Sequence, residues 1–95
     1  MSAQRVLVAD DVSDSGLQPL RDAGFEIEKR TGLSAAELQS VIAECDGLVV
    51  RSETKVSSAL MDAAPRLRVI GRAGVGVDNI DVQAATSHGI VVMNA

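Results

Sequence analysis

The stretch Leu67–Asn79, LRVIGRAGVGVDN, decides the fold, because an apolar run with β-branched residues passes directly into a glycine-rich segment. Such a run predicts a buried strand, and the glycines after it predict a turn. Glycines let backbone N–H groups approach a ligand closely, and Arg72 supplies a planar fork suited to a carboxylate or phosphate. The stretch therefore predicts a strand that ends in an anion-binding turn, with a plain strand-to-helix turn as the alternative.

Four similar apolar runs accompany this one, which gives five predicted strands. Four of the five runs are almost continuously apolar, as in parallel strands buried on both faces, whereas the second alternates as an edge strand does. The predicted strands are Val6–Ala9, Phe25–Lys29, Leu48–Val50, the run around Val69–Ile70, and Ile90–Met93.

Four helix-like segments lie between the predicted strands. Ser34 and Glu37 have the spacing of a capping box, and an apolar stripe that ends at Cys45 follows them. A first helix that starts near Ser15 or Gly16 would tolerate Pro19 and end at Gly24. The third is expected to open at Ser57 or Ser58, bury Leu60, Met61 and Ala64, and stop before Pro65. The fourth is expected to open at Asp81, turn Val82 and Ala85 inward, and stop at Gly89.

Alternating strands and helices predict one α/β domain over residues 1–95. Parallel neighbours need right-handed crossovers, and a marginal second strand beside apolar first and third strands gives the order 2-1-3-4-5. The sequence thus predicts a flavodoxin-like, doubly wound parallel sheet of five strands with helices on both faces.

Composition and charge narrow the class of partner. The net charge is −4 and Phe25 is the single aromatic residue, which argues against binding nucleic acid. All five basic residues of the second half lie between positions 51 and 72, as a local site for a small anion would require. One cysteine excludes an internal disulfide, and neither a signal peptide nor a membrane span is evident in the pattern, so a cytoplasmic location is expected.

The carboxyl ends of the predicted strands carry the candidate site. Ligands of open α/β sheets bind outside these ends, where Arg51, Ser52, Arg72 and the glycine turn would converge. The turn is not a dinucleotide fingerprint, because Asn79 occupies the third glycine position. Asp78 and Asn79 are expected to hydrogen-bond the loop or cap the next turn. His88 is interpreted as a surface residue and Cys45 as a core residue.

Three segments resemble the amino-terminal, substrate-binding part of the NAD-dependent D-2-hydroxyacid dehydrogenases, especially of members that act on a phosphorylated hydroxyacid: Leu48–Val56, Val69–Asp81 and Gly89–Ala95. The resemblance implies that Arg51 and Ser52 lie near the phosphate or hydroxyacid end of the substrate, with Arg72 beside them. It also implies that the main chain of Gly74, Val75 and Gly76 meets the substrate carboxylate, and that Val75 lies near the nicotinamide of NAD.

The same resemblance implies that this chain is catalytically inactive by itself. The family's catalytic Arg, Glu and His and its dinucleotide motif have no match in these 95 residues, and His88 does not align with the family's histidine. Two alternatives stay open. One is a receiver-type phosphoacceptor domain, favoured by Asp10-Asp11 after the first strand but opposed by Arg51 at the acceptor position. The other is a non-catalytic domain that self-associates through the edge of its fifth strand.

Overall fold

Strands and helices alternate along the described part of the chain. A computed structural model describes residues 4–73 and 78–94. The strands are β1 (Arg5–Val8), β2 (Glu26–Lys29), β3 (Gly47–Val50), β4 (Val69–Arg72) and β5 (Val91–Asn94), and the helices are α1 (Asp14–Asp22), α2 (Ala35–Ile42), α3 (Ser58–Asp62) and α4 (Val82–Ser87).

The five strands form one parallel sheet in the order β2-β1-β3-β4-β5. Successive residues of each strand face opposite sides, so the sheet supports two separate apolar layers. Leu7, Leu48 and Ile70 pack with residues of α2, α3 and α4 on one face. Val8 packs with Leu17 of α1 on the other. The predicted doubly wound fold, with helices on both faces, is confirmed.

Side-chain caps begin α2, α3 and α4 where the sequence predicts them. The Ser34 hydroxyl accepts a hydrogen bond from Glu37 N, and the Glu37 carboxylate accepts one from Ser34 N, which completes the capping box of α2. Ser57 caps α3 and Asp81 caps α4 in the same manner. These caps satisfy helix N–H groups that have no partner within the helix.

The start of α1 differs from the prediction. Ser13 is the N-cap, and the helix begins at Asp14 rather than near Ser15 or Gly16. Pro19 consequently lies beyond the first four helical positions and removes one intrahelical hydrogen bond. The predicted stop is correct, since Gly24 has a φ of 90°.

Two predicted burials are wrong. Val82 is 41% exposed, because α4 turns Ala85 rather than Val82 toward the core, which Ile80, just before the helix, also joins. In β5, Val91 and Met93 are exposed although the continuous apolar run predicts burial on both faces. Strand β5 is an edge strand, and within the described residues only the face that bears Val92 is covered by helices.

Candidate functional site

The strand register brings the two candidate arginines to one edge of the sheet. Val50, the last residue of β3, pairs with Arg72, the last residue of β4. Arg51 follows Val50 directly, so Arg51 and Arg72 both lie at the carboxyl ends of neighbouring parallel strands. This edge is where ligands of open α/β sheets bind.

A buried carboxylate holds the loop that follows β3. Asp10, 3% exposed, accepts hydrogen bonds through Oδ2 from Arg51 N at 2.7 Å and Thr54 N at 3.0 Å. Its Oδ1 accepts another from Thr54 Oγ1 at 2.5 Å. Asp10 therefore binds the loop that carries Arg51 and Ser52 to the end of β1. These three protein donors engage both carboxylate oxygens, so Asp10, one of the paired acids that favoured the receiver-type alternative, holds the loop in place.

Asn79 holds the same loop from the side of β4. Its Nδ2 donates to the carbonyl oxygens of Arg51 at 2.6 Å and Thr54 at 2.7 Å. Its Oδ1 accepts from Arg72 Nε at 2.7 Å. The sequence predicts that Asn79 bonds to the glycine-rich loop or caps the next turn, but its side chain bonds instead to the loop after β3, up to 28 positions away, and to Arg72.

The Arg51 side chain lies along the end of β1. Its Nη1 donates to the carbonyl oxygen of Asp11 at 3.1 Å. The Asp11 carboxylate accepts a hydrogen bond from Lys29 Nζ at 2.8 Å. This bond and the charge of Lys29, with a smaller contribution from Arg51, lower the pKa of Asp11. We call the surface at these strand ends, with Arg51, Ser52 and Arg72, the rim; around Arg51 it combines the positive charges of Arg51 and Lys29 with the ionised carboxylate of Asp11.

Ser52 is exposed beside Arg51, where a ligand can reach it. Gly74, Val75 and Gly76, the other residues expected at the site, lie outside the described residues.

A cleft of about 350 Å³ adjoins the loop after β3 on the side of α2 and α3. Asp10, Thr54 and Lys55 line it together with Leu38 and Leu60. The loop after β3 thus contributes to this cleft, whose lining includes neither Arg51 nor Arg72.

His88 lies at the amino-terminal ends of the strands, on the side of the sheet opposite to the two arginines. It follows α4, just before β5 begins, and its Nε2 is 2.7 Å from Asp62 Oδ1 at the end of α3. The nearby Ala84 carbonyl and the Asp62 carboxylate raise the pKa of His88. These contacts join two helix ends and leave the imidazole far from the arginine-bearing rim.

Cys45 is a core residue, as predicted. It is 5% exposed, and its Sγ donates to the carbonyl oxygen of Val41. Burial raises the pKa of the thiol, which keeps it protonated.

Across residues 4–73 and 78–94, acidic, histidine and cysteine side chains form no cluster of three that could hold a metal ion. In the same ranges no helix is both long and apolar enough to cross a membrane.

Sequence comparison identifies relatives over almost the whole chain. The model of the family described as "D-isomer specific 2-hydroxyacid dehydrogenase, catalytic domain" matches residues 6–95. A D-3-phosphoglycerate dehydrogenase from Archaeoglobus fulgidus is 50% identical over 91 residues, and one from Homo sapiens is 44% identical over the same length. Each alignment covers 96% of this chain but 17% of the relative, so the chain spans about a sixth of their length.

Solved structures share the fold. The NAD⁺-bound 3-phosphoglycerate dehydrogenase of Entamoeba histolytica matches with a TM-score of 0.85 at 28% identity, over 98% of this chain and 33% of its own. The PH0520 protein of Pyrococcus horikoshii matches with a TM-score of 0.90 at 32% identity, over 99% of this chain and 28% of its own.

Proposed function

The chain belongs to the D-isomer specific 2-hydroxyacid dehydrogenase family, and we propose that it forms the substrate-binding side of an NAD-dependent 3-phosphoglycerate dehydrogenase. Such an enzyme oxidises the C2 hydroxyl of 3-phosphoglycerate to the ketone of 3-phosphohydroxypyruvate, in the biosynthesis of serine. The names of the relatives at 50% and 44% identity support this substrate.

One observation carries the proposal: Arg51 and Arg72 stand at neighbouring strand ends, on segments that Asn79 joins. Guanidinium groups bind phosphate and carboxylate through paired, charge-assisted hydrogen bonds. We assign to Arg51, Ser52 and Arg72 the anionic ends of the substrate. The main chain of Gly74, Val75 and Gly76 would bind the substrate carboxylate.

We expect NAD to contact this chain near the substrate site but not to be bound tightly by it. Val75 is the residue we place near the nicotinamide, which accepts hydride from C2 when the cofactor is bound. The glycines of this segment do not complete a dinucleotide fingerprint, because Asn79 stands at the third glycine position. We therefore propose that residues of the cofactor domain, outside this sequence, hold the dinucleotide.

The isolated chain should not catalyse turnover. His88 is the single histidine in the sequence, and it lies at the opposite edge of the sheet from Arg72. A general base must come within hydrogen-bond reach of the hydroxyl proton. An assay of NADH formation with 3-phosphoglycerate and NAD should stay at background, and turnover by the pure chain would contradict the proposal.

Binding of 3-phosphoglycerate to the chain tests the site directly. We expect dissociation constants of about 1 mM or weaker, measured by a ¹⁵N NMR titration. Arg51→Ala or Arg72→Ala should weaken binding at least about tenfold, or about 1.4 kcal/mol. Arg68→Ala is the matched control, since this exposed arginine precedes β4 at the opposite edge. Equal losses in all three variants would indicate general charge attraction and would refute a site at the rim.

A further inference from the structure

The Asn79 side chain connects the two segments that carry the arginines. Its Oδ1 accepts from Arg72 Nε, while its Nδ2 donates to the carbonyl oxygens of Arg51 and Thr54. We propose that Asn79 is a positioning residue that sets the orientation of the Arg72 guanidinium relative to the Arg51 loop. The proposal rests on the proposed function, because the oriented group is the one assigned to the substrate.

The three contacts specify the orientation of the Asn79 amide. With the amide rotated by half a turn, Nδ2 would face the Nε–H donor of Arg72, and Oδ1 would face two carbonyl oxygens. Every contact would then oppose like with like. The partners therefore fix the amide in a single orientation, and the amide in turn specifies where Arg72 Nε lies.

Backbone contacts make Asn79 a firm support. Its carbonyl oxygen accepts from Val56 N at 2.8 Å, and Asp81 N donates to the carbonyl oxygen of Val56 at 2.9 Å. Ile80, between these residues, is buried. The Asn79 backbone is thus paired with the segment that ends the loop after β3, which holds in place the Cα from which the side chain projects.

The contact with Asn79 restricts the conformations of the Arg72 side chain before a ligand binds. A long arginine side chain loses rotamer entropy when it binds a ligand, and this loss weakens affinity unless it has already occurred. Because Asn79 holds Nε–H in the ligand-free chain, part of the ordering precedes binding. A single asparagine side chain provides both kinds of contact: its oxygen accepts from the arginine, and its NH₂ group donates to two carbonyl oxygens of the loop.

Two variants separate the contacts of Asn79. Asn79→Ala removes all of them, whereas Asn79→Asp keeps an acceptor for Arg72 Nε and a similar shape but loses the donors to the loop. Asp78→Asn, at the exposed neighbouring residue, is the control. In ligand-free protein, exchange of the Arg72 Nε–H proton with water should be slow in wild type and Asp78→Asn, and at least about tenfold faster in Asn79→Ala. Asn79→Asp should keep this proton protected, because its carboxylate still accepts from Arg72 Nε. If Asn79→Ala fails to fold, rapid exchange of the proton in folded Asn79→Asp would overturn the proposal.

A double-variant cycle distinguishes positioning from a purely structural role. Arg72→Lys keeps the positive charge but has no Nε–H for Asn79. Asn79→Ala should weaken 3-phosphoglycerate binding about tenfold in the wild-type background and by less than about twofold in the Arg72→Lys background.

Equal losses in both backgrounds, or Nε–H exchange that is the same in wild type and Asn79→Ala, would overturn the proposal. If Asn79 protects Arg72 Nε–H but the wild-type chain binds no 3-phosphoglycerate, the proposed function fails and the link between Asn79 and Arg72 stands. The ligand-free exchange measurement therefore separates the two failures.

Discussion

Removing the Asp10 carboxylate should destabilise the chain far more than removing its charge. In Asp10→Ala, the N–H groups of Arg51 and Thr54 lose their acceptor, and the Thr54 hydroxyl loses its partner. In Asp10→Asn, the amide oxygen can still accept from both N–H groups, and the Thr54 hydroxyl can rotate to accept from the amide nitrogen. The geometry is kept and only the charge assistance is lost.

The expected magnitudes follow from this difference. An unsatisfied, partly buried N–H group costs about 1–3 kcal/mol, so two of them at the lower half of this range give a loss of about 3 kcal/mol for Asp10→Ala. Exchanging charged for neutral hydrogen bonds should cost about 1 kcal/mol in Asp10→Asn. Against a total free energy of unfolding of about 5–15 kcal/mol, both variants should still fold.

Urea unfolding followed by circular dichroism measures both losses. With a slope of about 1–3 kcal/mol per molar urea, the midpoint of Asp10→Ala should fall by at least about 1 M, and that of Asp10→Asn by clearly less. Asp11→Ala is the control, because this neighbouring carboxylate is exposed and binds Lys29 at the surface. Equal midpoints for Asp10→Ala and Asp11→Ala, or a larger loss in Asp10→Asn than in Asp10→Ala, would refute the reasoning.

Three other predictions follow from the structure. The raised pKa of His88 means that its pairing with Asp62 stabilises the fold fully below about pH 6.5, the ordinary histidine pKa. This stabilisation is lost as the pH rises through the folded-state pKa; His88→Gln should flatten this part of a melting temperature profile, and an unchanged profile would contradict it. Cys45 should react with a thiol reagent only at the rate of unfolding, so rapid labelling of folded protein would exclude its core role. Exposed Val91 and Met93 on edge strand β5 predict self-association that Met93→Lys reduces, and a wild-type chain that sediments as a monomer at every concentration would rule this out.

Local sequence patterns predict much of this fold because they report local physics. The spacing of Ser34 and Glu37 specifies a reciprocal cap within a single turn, and the structure contains it. The order of the strands follows from which runs are apolar throughout. The exposure of β5 does not follow in this way, since a continuous apolar run requires burial on both faces only when helices cover both.

The supports of the candidate site are harder to predict, because they are long-range. Asp10 bonds to Thr54 across 44 positions, and Asn79 bonds to Arg51 across 28. Nothing in the local pattern distinguishes an Asx residue that caps its own turn from one that holds a distant loop. The signal in the sequence is that Asp10 lies two residues after β1 and Asn79 lies between β4 and α4, so both belong to segments that follow strands, as Arg51 does.

Asp10 and Asn79 hold the loop after β3 from two sides, which suits the proposed binding of a small anion by a short loop. Asp10 accepts from the N–H groups of the loop and Asn79 donates to its carbonyl groups, so the donors and acceptors of Arg51 and Thr54 are satisfied from the segments that follow β1 and β4. An exposed loop with free backbone groups would exchange among conformations, and a ligand would have to select one of them. Here the backbone of Arg51 is fixed before a ligand arrives. Binding of the proposed substrate would then need to order only side chains, and Asn79 already holds that of Arg72.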